Sequence, residues 1–318
     1  MRALITGVNG FVGKHLEAYL LSNHIEVWGT TRNTSNIQDG AKNRIAMGFS
    51  SEAEMIEVLN HIKPDMIFHL AAQSSVRKSW DKVVETLESN VINSANFYEA
   101  ILKSDIGGKV RILSVGSSEE YGMVLSDSMP IDEECALNPI SPYGISKVSQ
   151  YMLAKMYMKL GLQIVHVRPF NHIGPGQDLG FVTSDFSYQI AKIESGMSEQ
   201  MMKVGNLSAK RDFLDVRDII RAYSEIIRKG IPGEAYNICS GEPVSIADIL
   251  TSLVALSDKE IDIVTEPSLL RAIDIPLYIG SNEKITSTIS WKQHIGIEET
   301  LGDVLNYWRN RVKIEGRV

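Results

Sequence analysis

Along the first half of the chain, apolar residues recur at strand spacing, every second residue, in some short segments and at helical spacing, about every 3.6 residues, in others. The segment Arg2–Thr6 is apolar and β-rich, residues 11–21 carry apolar side chains at helical spacing, and residues 26–30 form a second β-rich segment. Further helices are predicted at 52–61, at 83–102 and from Pro142 onward, with strands at 66–70, 110–114 and 163–167. Strands that alternate with helices predict an α/β fold with a parallel sheet covered on both faces.

This regularity weakens after Arg168. Proline and glycine crowd residues 169–180, and shorter elements follow until a final helix predicted near 298–311. We therefore predict a first domain at 1–168, to which segments near 213–240 return, and a smaller α/β substrate-binding domain mainly at 169–312. Residues 313–318 are set aside from the fold, because Ile314–Arg317 match a specific-protease recognition sequence of the kind added for expression.

Composition narrows the partners that the chain is expected to have. Its 318 residues include 32 Lys+Arg against 39 Asp+Glu, a net charge of -7, without a basic block that could follow a phosphate backbone. No apolar stretch is long enough to cross a bilayer, and the chain has only two cysteines. We expect a soluble cytoplasmic protein that binds neither nucleic acid nor membranes.

A glycine-rich turn follows the first predicted strand. Gly7, Gly10 and Gly13 lie between this strand and the first helix, where glycine permits a tight turn and close approach of a pyrophosphate to the helix N-terminus. The turn predicts a dinucleotide-binding domain at 1–168. After the second strand there is no acidic residue but Arg32, which favours NADP(H), with NAD(H) left open as a second cofactor.

Tyr143 and Lys147 are spaced i and i+4 on the helix predicted after Pro142, so their side chains share one face. A tyrosine that exchanges a proton near neutral pH needs a lowered phenol pKa, and a neighbouring ammonium favours the phenolate. Ser117 lies in a polar cluster that follows an earlier strand. The pattern predicts proton-transfer chemistry at this helix.

In these features the chain resembles the extended short-chain dehydrogenase/reductases over nearly all of residues 1–312. The motifs that carry the resemblance occur in order: the glycine turn, residues 69–74 (HLAAQS), 117–122 (SSEEYG), 143–147 (YGISK), 168–172 (RPFNH) and 211–213 (RDF). The resemblance implies a Rossmann domain with a doubly wound parallel sheet, a nicotinamide cofactor, a nucleotide-sugar substrate and the catalytic trio Ser117, Tyr143 and Lys147.

Within that family, residues 71–74 and 170–177 are most similar to the GDP-mannose branch of 4,6-dehydratases and related reductases. The resemblance implies reduction by NADPH of a GDP-linked 4-keto-6-deoxy sugar, GDP-4-keto-6-deoxy-D-mannose, to GDP-D-rhamnose. The implied cofactor contacts are Gly7, Gly10, Phe11, Val12, Gly13, Arg32, Leu70, Ala71, Ala72, Tyr143, Lys147 and His172. The implied substrate contacts are Ser74, Ser117, Glu119, Asn171, Val182, Arg211 and Arg271.

Two other activities stay open from the sequence. In the dehydratases a glutamate two residues after the catalytic hydroxyl removes the proton at sugar carbon 5, and Glu119 holds that position after Ser117. A 4,6-dehydratase or an epimerase is therefore the alternative to a reductase. A non-enzymatic dinucleotide sensor is disfavoured because the whole trio is present.

The remaining expectations concern metal and assembly. His69 and His172 lack a third residue spaced to complete a metal site, so we expect no metal. The resemblance implies a homodimer in which the helices near residues 83–102 and 143–160 pack against their copies.

Overall fold

The computed structural model describes residues 1–31, 43–269 and 275–316. Its first part contains the strands β1 (Arg2–Thr6), β2 (Glu26–Thr31), β3 (Arg44–Ala46), β4 (Met66–His69), β5 (Arg111–Val115) and β6 (Gln163–Pro169). The helices of this part are α1 (Phe11–Ser22), α2 (Glu52–Ile62), α3 (Val76–Asp81), α4 (Val83–Leu87), α5 (Asn93–Lys103) and α6 (Pro142–Lys159). The predicted alternation of strands and helices is therefore present.

The later part contains β7 (Asn171–Ile173), β8 (Met201–Val204), β9 (Lys210–Asp215), β10 (Ala235–Ile238), β11 (Pro243–Ser245), β12 (Asp262–Thr265) and β13 (Leu277–Tyr278). Its helices are α7 (Val182–Glu194), α8 (Val216–Lys229), α9 (Ile246–Ala255), α10 (Glu283–Ile289) and α11 (Ile297–Glu315). Helix α11 continues through Glu315, three residues into the tail that the sequence analysis set aside.

Within the described residues, the strands form a seven-stranded sheet in the order β10-β6-β5-β4-β1-β2-β3, with every pair parallel. The order runs outward on both sides of β1 and β4, as in a doubly wound sheet. Strand β4 is buried along its whole length, as expected for a central strand with helices on both faces. The predicted α/β fold is confirmed.

Helices cover the two faces of this sheet. Helices α1, α8 and α10 pack on one face through a core that includes Leu16, Tyr223 and Ile285. Helices α2, α5 and α6 pack on the other face through residues such as Leu59 and Phe97. Parallel strands need this double cover because both of their faces are apolar.

A second core joins the elements of the later part. It contains residues of α7, α9 and α11 together with β8 and β9, among them Phe186, Leu253 and Leu305. Strand β9 pairs with β7, β11 and β13 in a smaller sheet, and β12 pairs with β8. No helix within the described ranges is long and apolar enough to cross a membrane.

Local sequence explains how the helix that carries the predicted Tyr–Lys pair begins. Ser141 accepts a hydrogen bond from the Gly144 N–H at 3.0 Å, and Pro142 occupies the first turn, where its missing N–H costs nothing. The helix predicted at 83–102 differs from expectation, because a π-helical turn over residues 88–92 separates α4 from α5. Such a turn inserts one residue and frequently marks a functional position.

Candidate active site

The glycine turn packs tightly against the loop after β4. Gly7 has φ +73°, and a Cβ there would lie 3.0 Å from the main chain of Ala71. A Cβ on Gly13 would lie 2.5 Å from the Gly7 oxygen. Gly10 caps α1 without a side-chain hydrogen bond, and the first turn of α1 has no acidic residue. The N-terminus of α1 thus offers main-chain N–H groups that no side chain covers. This arrangement suits the pyrophosphate of a dinucleotide.

Buried polar groups hold the loop after β4 in place. The Thr6 hydroxyl accepts a hydrogen bond from the Ala71 N–H at 3.1 Å and lies 2.9 Å from His69 Nδ1. The other ring nitrogen of His69 lies 3.0 Å from the Ser94 hydroxyl. Burial lowers the pKa of His69 to about 3, so its ring is neutral. Leu70, Ala71 and Ala72 are half-buried beside the glycine turn.

Strand β7 contacts the first turn of α1 from the other side. The rings of Phe11 and His172 are parallel, with centroids 6.2 Å apart. His172 Nδ1 lies 3.1 Å from the Phe170 oxygen, and burial lowers the pKa of His172. Val12 packs against the core of the first sheet. The structure therefore brings these residues of the predicted cofactor set to one edge of the sheet.

The predicted catalytic trio meets at the end of β5. Ser117 follows β5 and caps a short turn over residues 118–120, and its side chain lies close enough to the phenol of Tyr143, in the first turn of α6, to influence the pKa of that phenol. Lys147 Nζ lies 5.8 Å from the centroid of the Tyr143 ring. It donates hydrogen bonds to the Val115 oxygen at 2.8 Å and to Gln150 Oε1 at 3.0 Å. All three side chains are buried.

The electrostatics of Tyr143 differ from the expectation. Burial raises the pKa of Tyr143, the charges of Glu119 and Glu120 add to this, and the hydrogen bond from Ser117 opposes it. The expectation of a lowered phenol pKa is wrong for the structure, because desolvation of the phenolate dominates. Burial also lowers the pKa of Lys147 to about 8. Tyr143 is therefore a protonated phenol at neutral pH.

The predicted substrate contacts within the described residues come from several separate elements of the fold. Asn171, in β7, donates from Nδ2 to the Asp212 oxygen at 3.2 Å, and Arg211, in the paired strand β9, donates from Nη1 to the Lys210 oxygen at 2.9 Å. Val182 begins α7 and packs partly against the second core. Ser74 is exposed in the loop between β4 and α3, and Glu119 is half-buried in the turn after Ser117. Arg32 and Arg271 lie outside the described residues.

Three polar residues that hold the site together were missed from the sequence. Asn90, in the π-helical turn, donates to the Ser146 hydroxyl at 2.9 Å and exchanges hydrogen bonds with the main chain of Gln73. Buried Asp212 accepts from the main chain of Ser240 and Gly241. Buried Glu120 accepts from the main chain of Ser117. An amide inside an apolar helix was the available signal for Asn90, whereas the two acids resemble surface residues in sequence.

Metal ligation has no support in the described part of the chain. No group of three or more His, Cys, Asp or Glu side chains is placed there to hold an ion. His69 and His172 make the ring contacts given above instead.

The doubly wound sheet, the glycine turn and the Ser–Tyr–Lys trio together define the class of extended short-chain dehydrogenase/reductases. The model of the GDP-mannose 4,6 dehydratase family matches residues 4–304, and the chain belongs to that family. The family predicted from the sequence motifs is thus confirmed.

Individual relatives span almost the same length. GDP-6-deoxy-D-mannose reductase of Pseudomonas aeruginosa is 32% identical over 315 residues, which cover 99% of each chain. GDP-6-deoxy-D-talose 4-dehydrogenase of Aggregatibacter actinomycetemcomitans is 28% identical and covers 91% of each chain. Human GDP-mannose 4,6 dehydratase is 24% identical, over 96% of this chain and 90% of its own.

Solved structures agree with these relatives. The structure of RMD from Pseudomonas aeruginosa complexed with NADPH has a TM-score of 0.86 and 30% identity, and the match covers 98% of this chain and 99% of that one. A UDP-glucose 4-epimerase from Thermotoga maritima has a TM-score of 0.85 at 25% identity, over 98% of this chain and all of that chain. The predicted Rossmann domain is confirmed.

Proposed function

We propose that the chain reduces GDP-4-keto-6-deoxy-D-mannose to GDP-D-rhamnose with NADPH. The observation that carries the proposal is the full-length similarity to a GDP-6-deoxy-D-mannose reductase, at 32% identity against 24% for the human dehydratase. The protonated state of Tyr143 supports it independently, because a carbonyl reductase must begin with a proton to donate.

Residues of the first sheet fit the dinucleotide. The bare backbone of Gly7, Gly10 and Gly13 at the N-terminus of α1 would hold the pyrophosphate, since a Cβ would fill this space. Residues 70–72 and His172 would flank the rest of the cofactor, and Lys147 would face its nicotinamide ribose. When bound, NADPH supplies the hydride. The solved relative that contains NADPH supports this choice of cofactor.

The chain's own side chains would act on the sugar carbonyl. The side chains of Ser117 and Tyr143 lie next to each other, so both hydroxyls can donate to one carbonyl oxygen placed between them. Charge that develops on this oxygen is stabilised by both donors, and Tyr143 transfers its proton to it. The Lys147 ammonium then stabilises the resulting phenolate. Burial of the trio excludes water, which strengthens each of these interactions.

A second activity has one observation in its favour. Glu119 lies two residues after Ser117 and its charge acts on Tyr143, so a base is near the position at which a dehydratase removes the carbon 5 proton. The reductase proposal gives Glu119 a binding role at the sugar instead. Ser74, Asn171, Val182, Arg211 and Arg271 would bind the rest of the GDP-sugar.

One paired assay separates the two activities. The protein is mixed with NADPH and freshly generated GDP-4-keto-6-deoxy-D-mannose, and separately with GDP-D-mannose alone. We expect NADPH absorbance to fall in the first mixture and GDP-D-mannose to persist in the second. Formation of a keto sugar from GDP-D-mannose, without net use of NADPH, would overturn the reductase and make Glu119 the elimination base.

We extend the proposal to domain organisation. Residues 1–168 with about 213–240 would form the cofactor domain, and 169–312 mainly the substrate domain. Pairing of β10 with β6 and packing of α8 on the first sheet support this division.

Both cysteines are free thiols, which is consistent with a cytoplasmic location.

We also propose a homodimer. Large apolar side chains are exposed on α3, α4, the π-helical turn and α6, elements that pack against one another: Trp80, Val84, Ile92, Ile145, Met152 and Met156. Exposed apolar side chains on neighbouring helices are typical of a protein interface, and a second copy of the chain would cover them.

A further inference from the structure

A buried carboxylate lies directly behind the catalytic turn, and the reaction as described above does not use it. Glu120 is 0% exposed. Its Oε1 accepts the Ser117 N–H at 3.0 Å and lies 2.9 Å from His166 Nε2, while its Oε2 accepts from Arg168 Nε at 2.7 Å. A buried ion pair is costly to desolvate and is therefore weak evidence for a contribution to stability alone.

The fold makes room for this carboxylate. A Cβ on Gly116 would lie 1.9 Å from Glu120 Oε1 and 2.3 Å from His166 Nε2, so only glycine permits the contact. The Arg168 guanidinium lies between the rings of Tyr121 and Tyr151, at 4.9 and 4.6 Å from their centroids. Neither the Glu120 carboxylate nor the Arg168 guanidinium can rotate out of the ion pair without displacing these packed aromatic rings.

We infer that Glu120 is a positioning residue for the reaction: its carboxylate fixes the orientation of Ser117 and supports the charge of Lys147. The hydrogen-bonded side chains of His166, Ser114 and Gln150 join Glu120 to Lys147 in one buried network. The inference rests on the proposed function only in that Ser117 and Lys147 act in it. Glu120 follows Glu119 in sequence but has a different role, since Glu120 is closed off from the substrate cleft by burial.

Other titratable groups around Lys147 do not replace this charge. Burial lowers the pKa of His69 in β4 and of His166 in β6, and the positive charge of Lys147 lowers the pKa of both rings further. Tyr143 shares its helix and is a neutral phenol. Arg168 of β6 is a cation already paired with Glu120. Among these groups, Glu120 carries the negative charge, and it opposes the lowering of the Lys147 pKa by burial.

Two substitutions separate the contribution of the Glu120 charge from that of its side-chain length. Glu120→Gln keeps an oxygen for the Ser117 N–H but removes the charge, whereas Glu120→Asp keeps the charge but shortens the side chain. Glu133→Gln is the matched control, because Glu133 is another carboxylate near Arg168 that accepts a main-chain hydrogen bond, from Asn237 at 2.7 Å.

Titration of Lys147 is the direct readout and does not depend on turnover. Protein labelled with ¹³C-lysine is titrated by NMR, and the Lys147→Arg variant assigns the resonance. We expect a midpoint near 8 in the parent protein, as burial sets the pKa of Lys147 to about 8. Glu120→Gln should lower this midpoint by roughly one pH unit, a shift equivalent to tenfold in protonation. Glu133→Gln and Glu120→Asp should leave it near the parent value.

Turnover is the second readout. With keto sugar and NADPH, Glu120→Gln should move the alkaline limb of the pH profile of kcat down by the same interval as the NMR midpoint. Glu120→Asp should lower kcat about tenfold with KM for NADPH unchanged, because Ser117 is no longer oriented. If Glu120→Gln does not fold, Glu120→Gln with Arg168→Met, which leaves no unpaired charge, gives the same measurements.

The outcomes distinguish this inference from the proposed function. A folded Glu120→Gln protein, single or double variant, with the parent Lys147 midpoint would overturn the inference whatever the substrate is. Lack of turnover by the parent protein, combined with a lowered midpoint in Glu120→Gln, would overturn the reductase proposal and support the role of Glu120.

Discussion

The phenol of Tyr278 donates a hydrogen bond to the main-chain oxygen of Ser118, 2.7 Å away. Tyr278 belongs to β13, whereas Ser118 follows Ser117, the proposed catalytic serine, after β5 of the first sheet. The Tyr278 ring also packs against Phe170, with centroids 5.8 Å apart. The proposed catalytic turn is thus held by a side chain from the later part of the chain, which also contributes several of the predicted substrate contacts.

Removal of this hydrogen bond should loosen the catalytic turn. We expect Tyr278→Phe to lower the free energy of unfolding by about 1–3 kcal/mol, because a buried carbonyl loses its partner, and to lower kcat several-fold. Tyr188→Phe is the control, since the Tyr188 hydroxyl contacts exposed Glu315 at 3.4 Å, away from the trio. Urea unfolding and NADPH oxidation test this expectation, and a Tyr278→Phe protein with the parent kcat would contradict it.

The parts of the site that the sequence predicted are those in which function depends on local spacing. The glycine turn and the Tyr143–Lys147 pair are each contained within a few residues, so strand–turn–helix order and an i, i+4 interval are enough to find them. The parallel sheet covered on both faces followed similarly from alternating periodicity, whereas its doubly wound order was implied by the family resemblance.

Contacts between distant segments could not be predicted in this way. Asn90 reaches Ser146 across 56 residues, and Glu120 reaches His166 across 46. The direction of the Tyr143 pKa shift was wrong for the same reason, because burial of the phenol depends on packing that no local pattern encodes. Local spacing in the sequence identifies the candidate reacting groups, whereas the fold determines their protonation.

Tyr143 is expected to be the proton donor. Tyr143→Phe should lower kcat by about 10²-fold or more while NADPH affinity stays near the parent value, because general-acid catalysis is lost but the cofactor contacts remain. Tyr157→Phe, on the same helix with its hydroxyl bonded to Glu99 at 3.0 Å, should retain turnover. Stopped-flow NADPH oxidation and fluorescence titration measure the two quantities. Near-parental kcat in Tyr143→Phe would remove Tyr143 from the acid role.

Gly13→Ala should weaken cofactor binding specifically. The added methyl would lie 2.5 Å from the Gly7 oxygen, so α1 must shift away from the turn that receives the pyrophosphate. A cost of about 1.4 kcal/mol corresponds to a tenfold rise in Kd for NADPH, and we expect at least that. Gly302→Ala in α11 is the control, because no atom lies within 4 Å of its added Cβ. Equal Kd values for the two variants by calorimetry would refute the expectation.

Acid should destabilise the protein partly through His69. The unfolded imidazole binds a proton near its ordinary pKa of 6.5, whereas burial lowers the folded pKa to about 3. The unfolded state therefore binds more protons between these values, and stability falls as the pH drops from about 6.5 to 3, by at most about 1.4 kcal/mol per pH unit.

Substitution of His69 should make the free energy of unfolding fall less steeply as the pH drops. His69→Gln is expected to be less stable at pH 7, because contacts with Thr6 and Ser94 change, yet to lose less stability between pH 6.5 and 4. Exposed His61→Gln should keep the parent slope. The comparison uses urea unfolding at a series of pH values, and parallel slopes for His69→Gln and the parent would exclude His69 as a source of acid sensitivity.

The proposed homodimer predicts that a single charge on the apolar surface of α6 prevents assembly. Met152 is 51% exposed, and Val84 of the neighbouring α4 is 77% exposed. Burial of each large apolar side chain in an interface contributes roughly 1.5–3 kcal/mol, whereas a buried unpaired carboxylate opposes association. Met152→Glu should therefore convert a dimer into a monomer in sedimentation velocity. Leu256→Glu, at the end of α9 and 46% exposed, should leave the mass unchanged. A monomeric parent protein at micromolar concentration would show instead that this surface is not a dimer interface.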